Sequence, residues 1–435
     1  MEQLFTICGA LYICIYACEG PIRLFLHQHG ADDLILLRDL LIFFPLAVLF
    51  LAQALRTRIH PGYLAFVALM ALHGAIIYAG QRTYLPVIYG CKIYVNLLFG
   101  FLAARQLCQP GPRVTKLLSL VWLVSVVGLL LDKYVYDTMP WVGIEQNIGG
   151  IQVDVARDWF ISGADKRAGG FMRSSIFAAE LMPLLTIVLA CKARNYLLRA
   201  ALLGIGLFAV LLTTQKGALG AMAAVAAILL LSTEPRRQYK LLCATGLLFA
   251  LLAVSLPVFS INLLVDYNND GPFSVSSLLL RIGNTWPDAW KWISGNEIFP
   301  FGVGLGGIGG PQRFYAQDFF NPADNVFIYL YANFGLLALF YLAWLLRQMF
   351  VPSQFRDPAI VALAILVFQL GDGIVLSVLE DQMASLFIGA AAGTLWQLHQ
   401  RARNGAWADP YNGGLVDRPP AAAIPVGNLH IVRGR

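Results

Sequence analysis

The stretch LLRAALLGIGLFAVLLTTQKGALGAMAAVAAILLLS, residues 197–232, decides how this chain is arranged. It holds two apolar runs separated by little more than Thr-Thr-Gln-Lys-Gly. About 20 apolar residues, each rising about 1.5 Å, span a hydrocarbon core. Read as two helices, 197–213 and 217–232, the pair crosses a bilayer and returns. Read as one, it crosses once, and every later loop changes side.

The rest of the chain settles which reading holds. Comparable runs cover 4–26, 34–54, 62–80, 84–105, 115–131, 174–191, 239–258, 325–346, 359–378 and 383–398, about twelve helices in all. Lys and Arg collect in cytoplasmic loops of membrane proteins. With the pair split, every even-numbered helix ends in a basic loop. These loops carry Arg56 and Arg58; Arg105, Arg113 and Lys116; Lys192, Arg194 and Arg199; Arg236, Arg237 and Lys240; Arg347 and Arg356; and Arg401 and Arg403. With the pair fused, that pattern fails. Both termini are therefore read as cytoplasmic.

Composition agrees. Of 435 residues, 58% are hydrophobic and 13% are charged, against about 25% charged in soluble domains. The runs do not alternate as the strands of a β-barrel would. The net charge of +6 belongs to the loops and carries no nucleic-acid signal. The first run contains Glu19 and Arg23 and has no small-residue cleavage site, so it is read as a retained helix. The seven cysteines fall mostly inside apolar runs, and the six histidines are scattered. Neither set forms a disulfide framework or a metal-ligand spacing. The expectation is an all-α polytopic membrane protein. Its transmembrane domain covers 1–403, followed by a disordered cytoplasmic tail over 404–435, rich in Pro, Gly and Ala.

Two long loops fall on the outer side, about 132–173 and about 259–324. Loops of that length are often functional. In the second, the spacing of Leu278, Trp286, Trp290 and Trp292 predicts short amphipathic helices lying at the interface, where Trp is favoured.

Charges in or at the ends of spans are costly, about 2.5–3.5 kcal/mol or more at mid-bilayer. The candidates are Glu19, Arg23, Arg38, Asp39, Lys92, Glu180, Lys216, Asp372, Glu380 and Asp381. Each has a structural reading, an ion pair between helices or snorkelling, beside a functional one. Glu19 and Arg23 are one helical turn apart and share a face. Arg167, Arg173, Lys216 and Arg281 form an outer cationic set. Arginine forks match phosphate oxygens; if the helices converge, these residues suit a lipid-linked diphosphate, and otherwise they meet lipid headgroups. The Gly-rich segment 302–310, GVGLGGIGG, lacks the Gly-Lys-Ser/Thr of a P-loop. It is read as tight backbone turns against a sugar or lipid. Asp324, at the mouth of a span, has two open roles, a general base or a helix cap.

The order of short motifs resembles a known family. It runs Glu-Gly-x-x-Arg (Glu19 to Arg23), Arg38-Asp39, Arg-Ala-Gly-Gly-Phe (Arg167 to Phe171) and Gln-Lys-Gly-Ala (Gln215 to Ala218). Then come Phe-Gly-Val-Gly-Leu-Gly (Phe301 to Gly306) and Ala-Asp-Asn-Val-Phe-Ile-Tyr-Leu-Tyr-Ala-Asn-Phe-Gly (Ala323 to Gly335). Over nearly all the membrane region the chain resembles the O-antigen ligase and Wzy polymerase superfamily, and more narrowly the bacterial exopolysaccharide polymerases. The resemblance implies a GT-C-like, inverting glycosyltransferase that needs no metal and no cofactor and lies in the inner membrane. Its substrate would be an oligosaccharide on undecaprenyl diphosphate, joined at the periplasmic face. A flippase, a chain-length co-polymerase and membrane lipid would be its neighbours. By the same analogy Arg281 and Asp324 are catalytic. Arg167, Arg173, Lys216, Asn325, Glu19, Arg23 and Arg38 bind substrate. Lys216 stands where many relatives carry Arg, and Asp324-Asn325 stands where ligases carry His-Asn, which favours a polymerase over a ligase. A transporter of lipid-linked sugars is the rival from another class. It would be expected to show two related halves, and no repeat is visible between 1–210 and 211–400.

Overall fold

The structure is a computed structural model. It describes residues 1–55, 61–148, 151–157, 159–161, 165–261, 275–352 and 356–403. The expected tail, the loop centre 262–274 and the loop basic residues Arg56 and Arg58 lie outside the described residues.

The first part of the chain forms Glu2–Ala17 (α1), Glu19–Gln28 (α2), Leu37–Leu55 (α3), Pro61–Gln81 (α4), Leu85–Leu102 (α5), Ala104–Cys108 (α6) and Pro112–Tyr134 (α7). Two antiparallel ribbons follow, Glu145–Ile148 (β1) on Ile151–Asp154 (β2) and Trp159–Ile161 (β3) on Asp165–Arg167 (β4). Then come Ser175–Lys192 (α8), Tyr196–Thr213 (α9), Lys216–Leu231 (α10) and Pro235–Val258 (α11). The second outer segment carries Ser276–Leu280 (α12) and Trp286–Asn296 (α13). Val326–Phe334 (α14), Leu337–Gln348 (α15), Arg356–Asp372 (α16) and Gln382–Arg403 (α17) complete the set.

Among the described residues, seven helices are long and apolar enough to cross a membrane, or eight if the α1–α2 pair, bent by 79°, is one span. The chain is thus a multi-pass helical membrane protein. Every predicted run coincides with a helix, but some are shorter than expected. The run 325–346 is broken at Gly335, whose φ of 57° ends α14. The run 359–378 stops as a helix at Asp372. The doubtful pair 197–232 is two helices. Thr214 takes a left-handed φ of 58° between α9 and α10, and such a residue stops a helix because its carbonyl turns away.

On some helices an apolar face is left on the outside of the bundle. On α3, Arg38 is 6% exposed while Leu37, Leu40, Phe44 and Leu51 are about half exposed. An apolar surface of that kind is stable against lipid and not against water. The centre is formed by α8, α16 and α17, apolar nearly all round and buried. There α17 packs on α5 through glycine. A Cβ at Gly389 or Gly393 would run into the Leu97 or Phe101 carbonyl, and one at Gly100 into that of Leu386. Helices without a hydrophobic drive between them associate by such small-residue contacts.

The described parts of the two long connecting segments pack against the helices. Ala168 N–H donates to Leu212 O at 3.1 Å and Leu305 N–H to His73 O at 3.0 Å. Asn325 Nδ2 donates to Ala253 O and Ile374 O, both at 3.0 Å. The connection into α8 therefore meets the end of α9, the Gly-rich segment meets α4, and the start of α14 meets α11 and the residues after α16.

The second segment forms the expected short helices. Trp286, at the start of α13, is 0% exposed and part of the core. Its Nε1 donates to Asp324 O at 3.2 Å, Trp290 Nε1 to Pro257 O at 2.8 Å and Trp292 Nε1 to Gly307 O at 3.0 Å. Each indole finds a backbone carbonyl inside the protein, so the helix is drawn inward.

Candidate functional site

The site is built on the turn 321–325. Asn325 is the N-cap of α14, its Oδ1 accepting from Phe327 N–H at 2.8 Å and Ile328 N–H at 3.0 Å. With its Nδ2 also occupied and the side chain fully buried, Asn325 is structural. This corrects its expected place among substrate-binding residues: every one of its polar atoms already has a protein partner. It also resolves the two roles left open for Asp324, because the cap is the neighbour.

Asp324 (φ 45°) and Ala323 (φ 61°) are consecutive non-glycine residues in the left-handed region, a strained arrangement that concentrates at functional sites. The turn is stapled to the second outer helix. Between α12 and α13, residues 281–285 form a π turn, a feature frequent at functional sites. Arg281 Nε meets Asp324 Oδ2 at 3.1 Å, and Asn321 Nδ2 donates to Thr285 O at 2.9 Å. Both partners of the ion pair keep about a fifth of their surface. The two expected catalytic residues are thus in contact. Burial pushes the Asp324 carboxyl up, and the Arg281 guanidinium pulls it part of the way back.

The expected cationic set is only partly assembled. Arg167, at the end of β4, lies within electrostatic reach of Lys216, and Arg281 within reach of Asp372. Gly217, next to Lys216, abuts the Asp372 carboxylate, so the start of α10 lies against the acidic residue that Arg281 reaches. Arg173 is elsewhere. Its Nη2 donates to Asp154 O at 3.2 Å, and it sits near Glu19, Arg23, Arg157 and Arg38. Burial lowers it to about 10, with Glu19 opposing, so it stays protonated at neutral pH.

Glu19, Arg23 and Arg38, expected to bind substrate, are buried in a closed network. Glu19 takes Arg23 at 2.6 Å and Arg38 at 2.7 Å; Arg38 touches Asp39 at 3.4 Å, and Asp39 takes Lys92 at 2.6 Å. Arg23 also donates to Gln146 of β1 at 2.5 Å. Of their two readings, the ion pair between helices fits this geometry.

The Gly-rich segment is wedged in protein, with no open face against a sugar. A Cβ on Gly304 would meet Ile77 N at 2.6 Å, and Gly306 N–H donates to Asn333 Oδ1 at 2.7 Å. Its glycines serve backbone–backbone approach, which corrects the expected sugar or lipid contact.

Two residues were missed as site builders. Asp132, at the end of α7, accepts from Gly169 N–H at 2.7 Å and Gly170 N–H at 2.8 Å, and pairs with Lys166 at 2.5 Å. It thereby fixes the segment that carries Arg167. A lone Asp at a helix end gave no spacing signal. Glu380 was noted only as a charge near a span. Its Oε1 accepts from Gly310 N–H at 2.7 Å and its Oε2 from Ser377 Oγ at 3.2 Å. It faces both Asp324 and Arg313.

Beside the turn, an apolar cavity of about 240 Å³ opens between α4, α5, α14, α15, α16 and α17, with Val326, Val378 and Leu379 at its rim. The chain matches no family model, no curated protein and no solved structure.

Proposed function

We propose that the chain is a polysaccharide polymerase of the Wzy type, a GT-C-like glycosyltransferase of about twelve spans. It joins undecaprenyl-diphosphate-linked oligosaccharide units at the periplasmic face of a bacterial inner membrane, with both termini in the cytoplasm. The observation that carries this reading is the Arg281–Asp324 pair, set by a π turn and a strained turn at the end of the bundle where Arg167 and Lys216 also converge.

The chemistry needs charge neutralisation more than anything else. Undecaprenyl diphosphate leaves readily once its developing charge is held, and preorganised cations at such charge are usually the largest catalytic contribution. Arg281, Arg167 and Lys216 supply those cations, and a nearby carboxylate takes the acceptor hydroxyl's proton. The apolar cavity lined by Val326 suits a polyprenyl chain. The motif resemblance adds support and implies that the reaction needs no metal.

The test is direct. The purified chain is incubated with undecaprenyl-diphosphate-linked repeat units and EDTA, and products are separated by length. A ladder with release of undecaprenyl diphosphate is expected. Transfer only to lipid A core would make it a ligase. No ladder, but movement of the lipid-linked unit across a proteoliposome bilayer, would replace the enzyme with a flippase.

A further inference from the structure

We infer that Glu380 is the general base of the transfer, and that Asp324 holds Arg281 in position; this rests on the transferase reading above. Asp324 and Glu380 lie within electrostatic reach of each other, and they differ in what already occupies them. Asp324 Oδ2 is taken by the Arg281 guanidinium at 3.1 Å. A carboxylate bound by a guanidinium gives up basicity, because the cation stabilises its ionised form. No Lys, Arg or His among the described residues lies within ion-pair distance of Glu380. Its Oε1 is anchored by the Gly310 amide, while Oε2 has only the Ser377 hydroxyl at 3.2 Å. One oxygen fixes the side chain and the other keeps lone pairs for a substrate.

The two carboxylates occupy equivalent places in the chain. Asp324-Asn325 opens α14 and Glu380-Asp381 opens α17. In each dipeptide the second residue caps its helix. Asp381 Oδ1 accepts from Met383 N–H at 2.8 Å and Ala384 N–H at 2.9 Å, as Asn325 does for α14. The first residue of each takes no part in the cap. Ser377 links the two, since its hydroxyl lies 3.2 Å from both Pro322 O and Glu380 Oε2.

The groups around Glu380 come from every neighbouring element. They are Asp324 of the turn, Arg313 of the 310–314 turn, Tyr94 of α5 and Tyr329 of α14. Arg313 stacks on the Phe320 ring at 4.2 Å. Burial raises the Glu380 carboxyl to about 7 and Asp324 adds to the rise, against the Gly310 amide, Ser377 and Arg313. That places it where a base works best near neutrality.

The step balances. The acceptor hydroxyl's O–H bond breaks and its proton passes to Glu380 Oε2. The hydroxyl oxygen bonds to the donor's anomeric carbon as that carbon's bond to the diphosphate breaks. The electron pair leaves with the diphosphate, against Arg281. Glu380 then returns the proton to water.

The experiment is a pH–rate profile of the full chain in nanodiscs, supplied with undecaprenyl-diphosphate-linked repeat units, beside a filter assay for retention of the same lipid-linked unit. The native enzyme shows an ascending limb near pH 7. Glu380→Gln can still accept the Gly310 amide bond; it loses about 10²–10⁴-fold in rate and the limb, and retains donor within about twofold. Glu380→Asp keeps a limb at reduced rate. Asp324→Asn weakens donor retention and keeps the limb. Glu380→Gln within about threefold of native rate, or loss of the limb in Asp324→Asn alone, would overturn the assignment. A native chain that forms no product overturns the transferase reading itself, and is told apart because no variant is then needed.

Discussion

The molecule holds two clusters of charge, and they are built oppositely. Around Glu19 every charge is answered. Arg23 and Arg38 take both carboxylate oxygens, Asp39 takes Arg38 and Lys92, and all but Asp39 and Lys92 are almost fully buried. Around Asp324 and Glu380 the account is open. One carboxylate has a single guanidinium and the other has none in contact, on a backbone in the left-handed region. Buried charges are tolerated when each has an opposite partner in contact. Those short of partners cluster at functional sites. The first cluster joins α2, α3 and α5; the second is the one proposed to meet the substrate.

The largest effect that would break this comparison is on stability. Glu19→Ala leaves Arg23 and Arg38 buried without their shared partner. Removing one member of a buried pair costs about 3–5 kcal/mol. The expected outcome is a lower unfolding midpoint in detergent, or loss of folded protein, while Asp324→Asn shifts the midpoint far less. Equal shifts in both variants would erase the distinction between the clusters.

Next in size is an effect on chemistry. Arg281→Ala should lower the polymerisation rate by about 10²–10³-fold, the usual loss on removing one preorganised donor to developing negative charge. Its midpoint should stay near native, since Arg281 keeps about a fifth of its surface. Retained polymerisation at normal expression would remove Arg281 from the site.

The contrast between the clusters also marks what the sequence reveals. Hydrophobic runs and basic loops place the helices, including the division at Thr214, because membrane insertion reads those same quantities. Glu19 and Arg23 announce their pairing through a spacing of four. The Arg281–Asp324 contact joins residues 43 positions apart in sequence, and no local pattern encodes it. The motif around Ala323 to Asn325 points to the right turn without saying which residue caps. Only the hydrogen bonds of Asn325 show that. Gly304 and Gly306 look like a ligand cradle in sequence because glycine signals close approach, but not what approaches. Trp286 is a similar case: an indole suits an interface or a core equally, and the carbonyl of Asp324 decides.

A smaller effect separates cap from carboxylate within one dipeptide. Asn325→Ala strands the Phe327 and Ile328 amides and the Ala253 and Ile374 carbonyls. The expected cost is about 1–3 kcal/mol, from the lost cap and unsatisfied groups. Asn325→Asp keeps the acceptor and loses the two donated bonds, so it should fall between. If Asn325→Ala unfolds like native but loses donor retention, Asn325 binds substrate after all.

The smallest effect is a drift of stability with pH, and its sign follows from the open cluster. Glu380 is raised from 4.5 to about 7 in the folded chain, so between those values the folded state holds a proton that the unfolded state has released. Stability therefore is highest below about pH 4.5 and falls as pH rises toward about 7, then levels. Asp324, also raised, drifts in the same direction. Glu380→Gln carries no titrating group there, so its melting temperature should fall less than the native one across this window. Parallel curves for the two proteins would mean that Glu380 ionises as freely when folded as when unfolded. The open cluster would then be as well satisfied as the one around Glu19.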